Sequence, residues 1–237
     1  MPKPKLSDIN FKWTSDLAYA IGLLVTDGNL SSDGRHIIMR SSDIDQLETF
    51  KKCLELKNKI GTSNSNGFSK NTSYRVQFGN VRFYHWLMSI GLFPAKSYTI
   101  GEVNVPDEFF RDYFRGCLDG DGNIQTYRDG YNFYLGRQYF TQRLFIRIVS
   151  ASEKHIFWLR EKIKFLTGLR GSISKGKPKD DKHVPIWELK FAKKESLQLI
   201  KWIYYDTNIP YLKRKRDIAK QAIEIISKQT RRVYTRV

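Results

Sequence analysis

Two aspartates, each followed by a glycine, stand at equivalent points of two similar segments of the chain. Asp27 lies in AIGLLVTDGN, and Asp121 lies in FRGCLDGDGN, 94 positions further on. If each segment is a helix that ends at its aspartate, the helix dipole destabilises the carboxylate by about 0.3–1 kcal/mol. A bound cation would reverse that penalty, and carboxylate and carbonyl oxygens are the ligands that Mg²⁺ prefers. Two such carboxylates at one place would suit metal-assisted hydrolysis of a phosphodiester.

These aspartates are also compatible with simpler local structures. A single Asp-Gly pair commonly marks a turn or a helix exit, so only its duplication points to a site. A calcium loop is compatible with the alternation of Asp119, Asp121 and Asn123. That loop would, however, need a glycine where Ile124 stands and a closing glutamate where Gly130 stands. The four histidines are scattered and the two cysteines are single, which does not favour zinc.

Three similarities recur in the same order along the chain and indicate an internal duplication. The first is the pair of Asp-Gly segments. The second relates two apolar-alternating runs, residues 37–41 and 146–150, which are 109 positions apart. The third is a W-x7-P pattern, repeated after 116 positions, in which Trp86 and Pro94 correspond to Trp202 and Pro210. The growing separations indicate that the second copy carries longer loops, including 15 extra residues before its second strand.

Periodicity predicts the order helix-strand-strand-helix-strand-strand-helix in each copy, and thus an α+β protein with antiparallel sheets. The first copy has predicted helices over 11–25, 43–56 and 81–90, and the second over 107–119, 153–166 and 194–206, with a long hairpin over 124–150. A last helix over 213–227 has no counterpart in the first copy. Small residues four apart predict a close contact between the two repeated helices, at Gly22, Thr26, Gly116 and Gly120.

Composition favours a folded protein with a polyanionic partner. Lys and Arg number 41 against 24 Asp and Glu, giving a net charge of +17, and aromatic residues make up 14%. That aromatic content excludes a disordered polyelectrolyte, and the charge points to nucleic acid. The apolar run over 17–25 is shorter than the roughly 20 residues of a bilayer span. No secretory signal is visible, and two cysteines make no disulfide framework. We expect an intracellular protein, in the cytoplasm or nucleoid of a bacterium or in an organelle matrix, without a membrane partner.

The segments AIGLLVTDG and FRGCLDGDG resemble the paired signature helices of the LAGLIDADG homing endonucleases, in the single-chain form with two repeats. The resemblance implies that the two helices form the interface between pseudo-symmetric halves. It implies two saddle-shaped sheets in the DNA major groove, and cleavage of both strands across the minor groove to leave 3′ overhangs. Asp27 and Asp121 correspond to the family's metal-binding acids, and Asp119 corresponds to its earlier, non-catalytic acid. The first copy has Val25 at that position, and further departures from the pattern are Ala20, Arg115 and Cys117.

The predicted metal ligands are Asp27 and Asp121, with the helix-terminal residues Thr26 and Gly120. Family members usually place a lysine late in each half, near the scissile phosphate. The candidates are Lys96, two residues after Pro94, and Lys213, three residues after Pro210, with Lys215 as the rival of Lys213. A positive charge there would stabilise charge developing on the phosphate.

Polar positions on the alternating strands are candidates for DNA contacts. In the first copy they are Asn29, Ser31, Arg35, Arg40, Asn66, Lys70, Arg75 and Gln77. In the second they are Gln125, Tyr127, Arg128, Asn132, Tyr134, Arg137, Gln138, Arg143, Arg147, Lys175, Lys177 and Lys190. Trp187 is an ambiguous member of this set, because it aligns with an inward-facing tyrosine of the first copy.

The predicted function is site-specific, Mg²⁺-dependent cleavage of double-stranded DNA; Mn²⁺ is expected to substitute, and Ca²⁺ to bind without supporting cleavage. The expected protein is a monomer with no obligate protein partner and with two halves, residues 1–98 and 99–237. Two alternatives stay open. One is a non-cleaving nucleic-acid-binding protein of the same fold, such as an intron RNA maturase or a DNA-binding regulator, and the other is a structural protein of the ribosomal type.

Overall fold

A computed structural model describes residues 11–63, 72–134, 136–178 and 184–234, and it shows two copies of one arrangement of helices and strands. The elements of the first copy are α1 (Ser15–Thr26), β1 (Gly28–Leu30), β2 (His36–Ser41), α2 (Ile44–Cys53), β3 (Gly61–Ser63), β4 (Ser73–Gly79) and α3 (Val81–Ser89). Those of the second are α4 (Phe110–Asp121), β5 (Gly122–Tyr134), β6 (Arg137–Ser150), α5 (Glu153–Thr167), β7 (Ser172–Lys175), β8 (Trp187–Phe191), α6 (Lys193–Ile203) and α7 (Lys213–Tyr234).

The two antiparallel sheets have the same strand order. It is β1-β2-β4-β3 in the first and β5-β6-β8-β7 in the second. Alternating apolar residues give each sheet one buried face, as with Ile37 and Met39 on β2 and Val76 and Phe78 on β4. The helices pack on these faces and leave the opposite faces to solvent. The predicted α+β fold of two αββαββα repeats is confirmed.

The second copy is enlarged where the sequence predicts it. Strands β5 and β6 have 13 and 14 residues, whereas β1 and β2 have 3 and 6. The pairing of this long hairpin shifts its register between Asp129 and Asn132. The last helix, α7, packs along β5 and β6 and extends to Tyr234 rather than to residue 227.

The two repeated helices begin later than their hydrophobic pattern suggests. The side chain of Thr14 accepts a hydrogen bond from the backbone N–H of Leu17 at 3.1 Å and thereby caps α1. Phe11, which the pattern places in that helix, instead stacks on Phe83 with ring centroids 5.8 Å apart. In the second copy, residues 107–109 form a 3₁₀ turn, and α4 starts at Phe110 and runs to Asp121.

Helices α1 and α4 approach each other so closely that backbone meets backbone at their glycines. A methyl group placed on Gly22 would lie 2.2 Å from the carbonyl oxygen of Tyr113, and one on Gly116 would lie 2.2 Å from that of Tyr19. A methyl group on Gly120 would lie 1.9 Å from Thr26 Oγ1. Residues 17–25 of α1 are all buried, as expected for a helix that is apolar on every side. This contact sets the distance between the C-terminal ends of the two helices.

Replacing Gly116 by alanine should therefore destabilise the fold. The new methyl group cannot fit unless α1 and α4 move apart, and overpacking of this kind costs about 1–3 kcal/mol of unfolding free energy. Gly61→Ala is the matched control, because no atom of the described residues lies within 4 Å of the added methyl group. Urea unfolding should show a lower midpoint for Gly116→Ala and a change below about 0.5 kcal/mol for Gly61→Ala. Equal effects of the two substitutions would contradict the backbone contact.

Candidate functional site

The two aspartates lie together where α1 and α4 end. Asp27 is the residue that caps the C-terminus of α1, and Asp121 is the last residue of α4. Burial raises the pKa of Asp27 to about 6, and the negative charge of Asp121 is the next largest cause. Thr26 Oγ1 donates to Asp27 Oδ2 at 3.2 Å, and a methyl group on Gly120 would lie 2.6 Å from that oxygen. The four predicted metal residues are thus brought to one place.

Two almost fully buried lysines flank this pair of carboxylates. The Nζ of Lys96, whose residue is 5% exposed, donates to the carbonyl oxygen of Gly28. The Nζ of Lys215, 4% exposed, donates to the carbonyl oxygen of Gly122 at 2.7 Å. Each of these glycines directly follows an aspartate of the pair, so Lys96 and Lys215 occupy equivalent positions in the two halves. Burial lowers the pKa of each lysine to about 8, while the nearby aspartates act in the opposite direction.

Lys213 lies elsewhere. Its side chain is exposed at the start of α7 and donates to Asp217 one turn further along the same helix. The structure therefore places Lys215, and not Lys213, beside the aspartates. The spacing after Pro210 could not separate the two, because it gives the distance along the chain but not the direction in which α7 starts.

Gln46 is a further polar residue of the site, and the sequence pattern did not predict it. It is buried in α2, with Nε2 at 3.4 Å from Asp27 Oδ2 and 3.3 Å from the carbonyl oxygen of Asp119. Its Oε1 accepts a hydrogen bond from Ser41 Oγ at 2.7 Å. One feature of the sequence could have indicated this role. Gln46 stands next to Leu47 on the apolar side of an amphipathic helix, and a polar side chain buried there needs hydrogen-bond partners.

The residue equivalent to Gln46 in the second half is His155, at the separation of 109 positions found for the strands. It is buried, and its Nδ1 lies 2.8 Å from the carbonyl oxygen of Gly101. Burial lowers its pKa to about 4, so the ring is neutral at physiological pH. A cavity of about 150 Å³ lies between His155 and Asp121 and is also lined by Thr26 and Cys117. The surroundings of the two aspartates therefore differ.

On the first sheet, Asn29, Arg40, Arg75 and Gln77 lie on the face opposite the buried residues. Arg40 and Arg75 are direct cross-strand partners, and no carboxylate among the described residues forms an ion pair with either. Like charges opposite each other are unfavourable, and a polyanion on this face would relieve the repulsion. Arg35 is exposed before β2, and Ser31 lies in the β1–β2 connection. The predicted contacts Asn66 and Lys70 fall outside the described residues.

On the second sheet, the face opposite the core carries Gln125, Tyr127, Arg143, Arg147 and Lys190. The charges here are partly compensated. Arg143 Nε lies 2.8 Å from Asp129 Oδ2, and Arg147 Nη1 lies 3.9 Å from Glu188 Oε2. Lys190 Nζ lies 4.3 Å from the ring centroid of Phe145, which shares this face.

Several predicted contacts lie elsewhere in the second half. Lys175 pairs with Trp187 across the strands, and Trp187 packs edge-on against Phe157 of α5. Both therefore lie on the helix side of the sheet, and not on the outer face as expected for Lys175. Arg128 faces away from Tyr127 and lies over the ring of Phe140. Lys177 and Gln138 are exposed. The side chains of the remaining predicted contacts are outside the described part of the chain: Asn132, Tyr134 and Arg137.

The donor chemistry of the site fits a hard divalent cation. Among the described residues, no group of three or more His, Cys, Asp and Glu side chains could hold a metal ion. The candidate ligands are instead two carboxylates together with carbonyl oxygens at two helix C-termini, all of them oxygens. A dication would also relieve the repulsion between Asp27 and Asp121. None of the helices in the described ranges has the length and apolar character needed to cross a membrane.

Comparison with solved structures identifies the fold. I-SmaMI bound to uncleaveable DNA superimposes with a TM-score of 0.58 at 13% identity, over 93% of this chain and 92% of that chain. I-DmoI in complex with DNA and Ca gives a TM-score of 0.51 at 15% identity, over 81% and 91% of the two chains. Full-length DUF199/WhiA from Thermatoga maritima gives 0.53 at 12% identity over 92% of this chain, which spans only 63% of that protein.

This chain therefore has the fold of the LAGLIDADG homing endonucleases, and the resemblance seen in the sequence is confirmed at that level. No protein-family model and no curated protein matches the sequence.

The raised pKa of Asp27 predicts how the stability of the metal-free protein depends on pH. A carboxyl group whose pKa is near 6 in the folded protein and about 3.8 in the unfolded chain makes the unfolding free energy fall as pH rises from about 4 to about 6. Asp119, whose pKa burial also raises to about 6, acts in the same direction. Asp27→Asn should therefore be more stable than the parent at pH 8, by on the order of 1 kcal/mol.

The measurement is thermal unfolding in chelator across pH 4–8, where the difference between variant and parent should vanish near pH 4. Mg²⁺ should raise the melting temperature of the parent more than that of the variant. If the variant is instead less stable than the parent at pH 8 without metal, the charge of Asp27 does not destabilise the fold and the prediction is wrong.

Proposed function

We propose that this protein is a site-specific DNA endonuclease that cuts both strands of a long duplex target with the help of divalent metal ions. The observation that supports this most strongly is the convergence of Asp27 and Asp121 at the ends of α1 and α4, between two buried lysines. Mutual repulsion between the acids makes the pair unfavourable without a cation.

Each residue of the site has a proposed role. Asp27 and Asp121 would hold Mg²⁺, together with carbonyl oxygens near Thr26 and Gly120, and Gln46 orients the Asp27 carboxylate. The metal, when bound, supplies an activated water and stabilises the leaving oxygen. Lys96 and Lys215, with pKa values of about 8, remain mostly protonated at neutral pH and stabilise negative charge developing on the phosphate. The role first expected of Lys213 thus passes to Lys215.

DNA is the proposed partner because of the charge and position of the two outer sheet faces. The net charge of +17 supplies non-specific attraction, and the arginines and amides of the faces can read base edges. The uncompensated pair Arg40 and Arg75 is suited to guanines or phosphates. The long β5–β6 hairpin extends the contact area of the second half only, so the proposed target is asymmetric.

The state of the protein in solution follows from its duplication. Two halves, residues 1–98 and 99–237, supply one aspartate each, so a single chain completes the site and we propose a monomer. Mn²⁺ should replace Mg²⁺, and Ca²⁺ should support binding without cleavage. The complex of I-DmoI with DNA and Ca, at the level of fold, is compatible with this last point.

A duplex library with a randomised centre tests the function. Sequences selected for binding in Ca²⁺ should be cut on both strands when Mg²⁺ replaces it. Asp27→Asn and Asp121→Asn should each reduce cleavage at least about a hundredfold, because each removes a metal ligand, while binding in Ca²⁺ changes little. Glu224→Gln is the matched control, since Glu224 is an exposed acid whose carboxylate is paired with Lys228.

Full cleavage by both aspartate variants would exclude the proposed metal site. Specific binding by the parent without cleavage in Mg²⁺ or Mn²⁺ would favour the alternative of a non-cleaving DNA-binding protein.

The two lysines of α7 provide a second test. Lys215→Met should lower the rate of cleavage of the selected duplex by about a hundredfold, because it removes the buried cation beside the aspartates. Lys213→Met should change that rate less than about threefold, since its charge is exposed and already paired with Asp217. Rates are measured with enzyme in excess, so that binding is saturated. If Lys213→Met instead slows cleavage more than Lys215→Met does, Lys213 is the lysine that acts on the phosphate.

A further inference from the structure

One position at which the two signature helices differ in chemistry is Asp119, whose counterpart in the first half is Val25. Asp119 is 1% exposed. Its Oδ2 accepts hydrogen bonds from Tyr19 OH and from the backbone N–H of Leu212, both at 2.8 Å. Burying a carboxylate costs free energy unless the group is hydrogen-bonded. Only the second half has such a carboxylate at this position, so the hydrogen bonds of Asp119 are specific to that half.

Those contacts lead directly to Lys215. Leu212 immediately precedes α7, and its carbonyl oxygen accepts the backbone N–H groups of Lys215 and Arg216, both at 3.1 Å. The side chain of Lys215 returns to the same place, since its Nζ donates to the carbonyl oxygen of Asp119 at 2.7 Å and to that of Leu118 at 2.6 Å. The side chain of Asp119 therefore holds the first turn of α7 through the N–H of Leu212. The end of the lysine is bound by backbone carbonyl oxygens of residues 118 and 119, which every residue at these positions has.

Lys96 is held in a different way. It begins a 3₁₀ turn at the end of the first half, after Ala95 in the left-handed conformation with φ of 54°. Its carbonyl oxygen accepts the N–H groups of Thr99 and Ile100 at 3.0 and 2.8 Å. Val25, the counterpart of Asp119, has no polar side-chain atom to offer. The two lysines are thus positioned independently.

We propose that Asp119 is the positioning residue for Lys215 and thereby controls the cutting of one of the two DNA strands. This inference rests on the proposed function. Loss of Asp119 would free the first turn of α7 and withdraw Lys215 from one phosphodiester, while Lys96 and both aspartates stay in place. The enzyme would then cut one strand and leave the other intact.

The rest of the contact between α4 and the C-terminal segment does not depend on Asp119. Arg115 is fully buried and donates through Nη1 to the carbonyl oxygen of Ile203 at 2.8 Å and through Nε to that of Pro210 at 2.6 Å. It is neutralised by Asp112, whose Oδ1 lies 2.7 Å from Nη2. The chain leading to α7 therefore stays attached when Asp119 is replaced, and variants of this residue are expected to fold.

The test measures the nicking rate of each strand separately, on a selected duplex labelled at either 5′ end, with enzyme in excess and Mg²⁺ present. Asp119→Val copies the first half and should slow one strand about a hundredfold, with the other strand changed less than about threefold. On a supercoiled plasmid that carries the target, nicked circles should accumulate. Asp119→Asn keeps an oxygen that can accept the Leu212 N–H, and it should restore that strand to within about tenfold of the parent.

Three further variants connect the effect to Lys215. Lys215→Met should slow the same strand as Asp119→Val, and the double variant should be no slower than Lys215→Met alone. Lys96→Met should slow the opposite strand. Tyr19→Phe is the matched control: it removes the other hydrogen bond to Asp119 Oδ2, and it should lower the melting temperature without changing the ratio of the two rates. Asp119→Ala, which leaves room for water at the Leu212 N–H, replaces the valine variant if that one fails to fold.

Equal slowing of both strands by Asp119→Val and Asp119→Ala would overturn the positioning role, as would full additivity with Lys215→Met. A parent protein that binds its selected duplex but cuts neither strand would overturn the proposed function itself. The two failures are distinguished by the activity of the parent.

Discussion

The backbone contact between α1 and α4 is the constraint on which the candidate site depends. Because Gly22 and Gly116 lack side chains, the two helices approach until the carbonyl oxygen of one meets the Cα of the other. The C-terminal ends of the two helices then lie side by side, and this brings Asp27 and Asp121 close together. The rest of each half, sheet and outer helices alike, buries the apolar surface of this pair. Side chains at the two glycines would separate the helices and with them the carboxylates.

The electrostatics of the site follow from this geometry. Two acids that share a partly buried place repel each other, and burial adds to the cost of their charge. Two buried ammonium groups next to them reduce that cost, but each is itself desolvated and is satisfied by carbonyl oxygens at the helix ends. The cluster therefore combines two carboxylates, two ammonium groups and the carbonyl oxygens at the C-terminal ends of α1 and α4. Such an arrangement favours a small, highly charged ion over an apolar ligand.

Much of this arrangement could be predicted from the sequence, because duplication makes weak signals reinforce each other. The Asp-Gly pairs, the small residues in the helices and the order of strands predict the fold and the meeting of Asp27, Asp121 and Lys96 at one place. What failed depended on side-chain direction. Strand β7 begins in a register that turns Lys175 to the helix side, and the start of α7 aims Lys215, and not Lys213, inward. The sequence does not predict the place of Gln46 beside Asp27, because a single polar residue in an amphipathic helix forms no periodic pattern.

Gln46 in the first half and His155 in the second occupy equivalent positions, which shows that the two halves can change independently. In a homodimer, one gene encodes both halves, and any substitution appears twice. Here each half has its own codons, so an amide can persist beside one acid while an imidazole, with a small cavity, occupies the place beside the other. A duplicated single chain thus lets selection adjust one half of the candidate site while the other half stays unaltered.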